Sequence, residues 1–126
     1  MKVKKINVPF YKWKIVSLVA ESHSDVDQVA KEMKKYKLSD SEITNIREQF
    51  SREAFGGGVI YYNDSCLFIL LIVYPHTSTK ECVSTLLHEG RHAADRIIES
   101  IGLEGGESTA YLSEYVTFEL IKDYIP

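Results

Sequence analysis

The sequence predicts an α+β domain of helices packed on a small, mainly antiparallel sheet, with the element order β-α-α-β-β-α-α. Three observations carry that expectation. Short β-branched or continuously apolar runs alternate with longer stretches whose apolar residues recur at helical spacing. Capping patterns that begin with a serine open two of those longer stretches. Glycine and proline then punctuate the boundaries, at Gly56–Gly58, Pro75 and Gly102.

Residues 12–20, KWKIVSLVA, are rich in β-branched side chains and read as the first strand. Ser24-Asp25 opens an amphipathic stretch with Val26, Val29, Ala30 and Met33 on one face, closing near Tyr36. A second helix follows from about Asp40, where Ser39 and Glu42 make a capping box and Ile43, Ile46 and Phe50 share a face. The three glycines break it. A hairpin comes next: Val59–Tyr62, a turn at Asn63-Asp64, and Cys66–Tyr74. The second arm, CLFILLIVY, is apolar on both faces, which predicts a central strand covered on both sides. Ser78 and Glu81 open a helix that should run to about Ser100, stopped at Gly102. The last helix should run from Glu107 to about Asp123. No repeat, low-complexity segment or linker divides residues 1–126, so they read as one domain.

Composition bounds the function. A chain of 126 residues that is 44% hydrophobic and 26% charged buries a real core without disulfides. A formal net charge of -3 argues against a general attraction to nucleic acid or an anionic membrane, and neither is expected as a partner. Lys31, Lys34, Lys35 and Lys37 read as the solvated face of a helix. Cys66 and Cys82 read as packing residues in a reducing compartment. The apolar run Ile15–Ala20 is too short for a membrane span and poor as a signal-peptide core, so a cytoplasmic location in the producing or host cell is expected. Tyr61, Tyr62 and Tyr74 read as sheet packing, and His23 and His76 receive no role.

The chemistry concentrates in LLHEGRHAAD, residues 86–95. His88, His92, Asp95 and Glu99 fall on one stripe of the predicted helix, apart from an apolar face of Val83, Leu86, Leu87, Ala94, Ile97, Ile98 and Ile101. Imidazoles four residues apart lie one above the other and converge on one cation. Zn²⁺ binds neutral imidazole, and a catalytic site takes three protein ligands plus a water. Glu89, about 100° round the helix from His88, flanks the metal and takes a proton from that water as general base. The plain alternative is a surface helix with its polar residues outward and an Arg91–Asp95 ion pair.

The final helix supplies a candidate third ligand. Glu107, Ala110, Tyr111, Glu114, Phe118 and Ile121 share a stripe, which would place two carboxylates on an inward face beside aromatic side chains. A buried carboxylate needs a partner, and the histidine pair needs a ligand. In a simple antiparallel hairpin the level of His92 lies near Val116, which favours Glu114. Glu107 would then stand about nine residues of helical rise away, on the order of 13 Å.

His88-Glu89-x-x-His92 followed by a glutamate opening a later helix resembles the zincin metallopeptidases, specifically the gluzincin branch. HExxHAAD, a short glycine-containing turn and ExxAYL are also similar to small zincin-like proteins encoded by tailed phages and prophages. The resemblance covers about residues 78–118. It implies a minimal zincin-like fold, a bound Zn²⁺ held by His88, His92 and Glu107, Glu89 as general base, and hydrolysis of a peptide or protein substrate. It also implies a phage or prophage setting, with virion association as a second location. Tyr111 stands where larger gluzincins often carry an aspartate. The alternative from another class is a phage or mobile-element structural or interaction protein with a vestigial or structural metal site.

Overall fold

The computed structural model describes residues 1–102 and 106–126, and the side chains of 106–108 lie outside that description. The chain is α+β. Strands β1 (Lys2–Asn7) and β2 (Lys14–Val19) precede helices α1 (Val26–Lys35) and α2 (Asp40–Ser51). Strands β3 (Gly58–Asn63) and β4 (Phe68–Val73) then lead to helices α3 (Thr79–Ile101) and α4 (Gly106–Ile121). Short 3-10 turns occupy His23–Asp25 and Lys122–Tyr124.

The four strands form one sheet in the order β1-β2-β4-β3. Both hairpins are antiparallel, but they join through a parallel seam in which Lys14–Val19 runs beside Phe68–Val73. The sheet is therefore mixed. A strand before the expected first one makes the difference, because β1 adds a hairpin whose second arm then meets β4. Its residues, KVKKIN, alternate poorly and bury only Ile6.

β4 is central as its composition requires: all six residues, FILLIV, are buried. Each such aliphatic side chain contributes about 1.5–3 kcal/mol when removed from water, which an edge position would forfeit on one face. The pleat sends alternate residues to opposite cores. Ile15, Val19, Ile69, Leu71 and Val73 pack with α3 and α4. Val16, Leu18, Leu70 and Ile72 pack with Val29, Ala30 and Met33 of α1 and Ile43, Ile46 and Phe50 of α2. The sheet is thus the middle of three layers.

Local chemistry sets the ends of α3. The Ser78 hydroxyl accepts from the Glu81 N–H at 3.1 Å. The reciprocal half of the box is missing, because the Glu81 carboxylate accepts instead from the Thr77 hydroxyl at 3.1 Å. Gly102 closes the helix at φ 75°, the left-handed conformation that glycine adopts without a Cβ clash.

Three expectations about faces are corrected. On α4 the inward residues are Leu112, Val116 and Leu120, whereas Tyr111 is 67% and Phe118 55% exposed and Glu114 is exposed too. The stripe through Glu114 and Phe118 therefore faces outward. On α3, Leu87 is exposed and Glu89 takes a place on the inward side. Cys66 lies exposed in the β3–β4 turn, while Cys82 is buried as expected; both are free thiols. Among the described residues, no helix is long and apolar enough to cross a membrane.

Candidate functional site

α3 lies against the sheet with β3 and β4 beneath it and α4 along its flank. His88 and His92 stand on its outer side, one turn apart and exposed. Their Nε2 atoms are 3.2 Å apart, and their rings meet edge to face with centroids 4.7 Å apart at 82°. Two imidazole nitrogens at the usual zinc distance around a tetrahedral ion stand about 3.3 Å apart. The pair therefore already has the spacing of two ligands on one ion. In its absence the same gap accommodates one N–H···N hydrogen bond.

Glu89 is 8% exposed and is the one charged residue in the buried set of the described chain. Among the described residues, no donor hydrogen-bonds its carboxylate. The residue is mostly buried, yet its carboxylate oxygens are not among the buried atoms that lack a partner, so they reach solvent at the edge of the packed face. What brings it close to the sheet is Gly58, the first residue of β3. A Cβ added there would lie 3.2 Å from Glu89 Cγ, 3.0 Å from Thr85 Cγ2 and 2.6 Å from the Ile72 carbonyl oxygen. Only a residue without a side chain lets β3 approach α3 at this level.

The segment leading into β3 is tied down. The Gly56 N–H donates to the Pro75 carbonyl at 2.8 Å, and the Tyr74 N–H donates to the Gly57 carbonyl at 3.0 Å. Both glycines have positive φ, 93° and 83°. Tyr74 stands close by, its phenol pushed up to about 12 by burial, with the charges of Tyr61 and Glu89 adding to the effect. At the far end of β3 the Arg96 guanidinium lies 4.1 Å from the centre of the Tyr62 ring and bonds to Asp64 and Glu99. Arg96 thereby fastens α3 to the β3–β4 turn. Among the described residues, Arg91 and Asp95 do not form the ion pair their spacing offers.

The structure thus brings His88, Glu89 and His92 to one stretch of α3, beside an edge strand. The remaining expected ligand, Glu107, lies in the first turn of α4, and its side chain is outside the described residues. α4 crosses α3 at Gly90, where an added Cβ would meet Leu120 Cδ1 at 2.7 Å and Thr117 Cγ2 at 3.3 Å. Gly90 and His92 point about 160° apart round the helix, so α4 packs on the flank away from the histidines. With its outward position, Glu114 loses the geometric preference that a simple hairpin gives it. Among the described residues, no group of three or more His, Cys, Asp or Glu side chains is gathered closely enough to hold a metal. The spacing of the two histidine nitrogens suits a zinc ion, and the side chain of Glu107 lies outside the described residues.

Gly58, Tyr74 and Arg96 belong to this site and were not expected there. The glycine had a signal, since a glycine entering a strand often marks close backbone approach. Arg96 had none, because its partners Asp64 and Tyr62 are distant in sequence. Comparison with protein-family models, curated proteins and solved structures finds no match to the chain.

Proposed function

We propose that the chain is a zinc-dependent hydrolase of minimal zincin-like architecture that cleaves a peptide bond in a peptide or protein substrate. His88 and His92 are ligands, Glu107 is the third, and Glu89 is the general base. The observation that carries this reading is the 3.2 Å separation of the two Nε2 atoms, with the buried Glu89 next to His88 in the chain. When bound, the zinc ion supplies a Lewis acid that polarises a carbonyl and brings the pKa of water to about 7.

The chain's own residues account for the rest. His88 and His92 bring their Nε2 atoms to one point beside α3, where they would hold the ion. Glu89 accepts a proton from the attacking water and delivers it to the leaving amine nitrogen. β3 carries backbone donors and acceptors along an edge with no neighbouring strand, which suits an extended peptide laid antiparallel or parallel to it.

A second reading, a phage or mobile-element structural or interaction protein with a vestigial or structural metal site, is favoured by the exposure of both histidines. Metal analysis and a peptide-library cleavage assay separate the two. Wild type is expected to hold one zinc per chain and His88→Ala to lose it. Glu89→Gln is expected to keep zinc and lose cleavage by about 10²-fold or more. Zinc lost in Glu107→Ala and retained in Glu114→Ala assigns the third ligand. Zinc-free wild type defeats the metal reading, whereas zinc without cleavage of any library member selects the second one.

A further inference from the structure

A second concave site lies on the other side of the sheet, among the elements of the α1–α2 layer. It is a cavity of about 400 Å³ lined by Lys12, Lys14, Lys35, Lys37, Tyr36 and Phe68, with the β3–β4 turn completing its wall. From this cluster we propose that the chain binds a small organic polyphosphate of nucleotide size, its phosphates held by the four lysines and its ring system by the aromatic wall. The volume falls within the range of small-molecule pockets.

The charge pattern points to an anion. No carboxylate lines the cavity, and among the described residues none of the four lysines makes an ion pair. The chain as a whole has 18 acidic and 15 basic residues, so an unpaired basic cluster is not a consequence of composition. Asn63 adds to it: its side-chain oxygen accepts from the Ser65 and Cys66 N–H groups at 2.9 and 3.1 Å, leaving only amide N–H donors uncommitted. Lys35 has an ordinary explanation as a cation in the last turn of α1, where it meets the negative end of the helix dipole. Lys12 and Lys14 have no such explanation, since they come from the β1–β2 connection and the start of β2.

The backbone strengthens the case. Lys12, Lys37 and Leu67, all lining the cavity, have φ of 59°, 62° and 52°. Lys37 follows α1 where its N–H donates to the Lys34 carbonyl and the Leu38 N–H to the Met33 carbonyl, both at 3.0 Å. That is the position glycine fills best. Lysine therefore stands at two left-handed positions around this one cavity, a conformation that Phe10 and Glu53 also adopt elsewhere in the chain. The aromatic wall is Tyr36 stacked on Phe68, 4.5 Å between centroids and 20° between planes, with Lys35 Nζ 5.6 Å from the Tyr36 ring centre.

Titration calorimetry at low salt with tripolyphosphate, ATP and a short single-stranded oligonucleotide tests this. ATP is expected to bind more tightly than tripolyphosphate, and affinity should fall as salt rises. Lys14→Ala combined with Lys37→Ala should weaken ATP at least about tenfold while thermal melting shows a folded chain. Lys31→Ala combined with Lys34→Ala, on the same helix but outside the cavity, should leave affinity unchanged. The proposal is overturned if neither phosphate compound binds at millimolar concentration, or if both double variants lose affinity equally. An oligonucleotide that binds more tightly than ATP, and more so with length, overturns it in favour of a nucleic-acid strand.

Discussion

Glu89 and Gly58 form the unit on which the site depends at the scale of single residues. A carboxylate on the inward side of α3 needs room, and the missing side chain at Gly58 provides it. Gly58→Ala would force a Cβ within 2.6 Å of the Ile72 carbonyl, an atom of the central strand that cannot rotate away. The expected outcome in urea unfolding is a loss of about 1–3 kcal/mol. On the proposed function, because the same Cβ presses on Glu89 Cγ, cleavage should fall further than the stability loss explains, while zinc content stays at the wild-type level. The histidine pair was legible in the sequence because a spacing of four on a helix leaves no other geometry. Glu89's burial was not, since hydrophobicity alone assigns inward faces and a glutamate three residues after Leu86 lies on the same stripe.

Among elements, α4 diverged furthest from its reading. Its sequence is apolar nearly all round, with Ala110, Tyr111, Leu112, Tyr115, Val116, Phe118, Leu120 and Ile121. Two stripes therefore fit a helical period, and bulky aromatics lent weight to the wrong one. The contact with α3 decided it, because Gly90 admits Leu120 and Thr117 at close range. Gly90→Val should overpack that crossing and destabilise the fold by about 1–3 kcal/mol in chemical denaturation. Tyr111→Ser and Phe118→Ser should stay within about 0.5 kcal/mol of wild type by the same measurement. β1 escaped the reading for the opposite reason. An edge strand with one buried residue shows no alternation to detect, and without it the parallel seam between β2 and β4 had no sequence signature.

At the scale of the molecule, the double-sided apolarity of β4 was enough to predict its central position and, through it, layers above and below. Partner order within the sheet depended on contacts between segments more than fifty residues apart, such as Lys14 with Phe68, which no local pattern encodes. The layered packing has a titration consequence. Tyr74 is pushed up to about 12, chiefly by burial, from the ordinary tyrosine value. Tyr124 is raised too, by burial first and then by its neighbour Cys82. A raised folded-state pKa contributes stability that is complete below the unfolded value near 10 and lost as pH climbs through the folded one. Stability measured against denaturant should therefore hold at neutral pH and decline above about pH 10, and Tyr74→Phe should reduce that decline.

The two edges of the sheet differ in one further respect. β1 carries Lys2, Lys4 and Lys5 along its length, while β3 reads GVIYYN and bears no charge. Lysines on an outer strand repel a second strand of the same kind, and an uncharged strand does not. The molecule is consequently guarded against self-assembly on one side only. In concentrated solution another copy could pair along the β3 edge, which is the same edge proposed to hold an extended peptide, so self-association would compete with the proposed function.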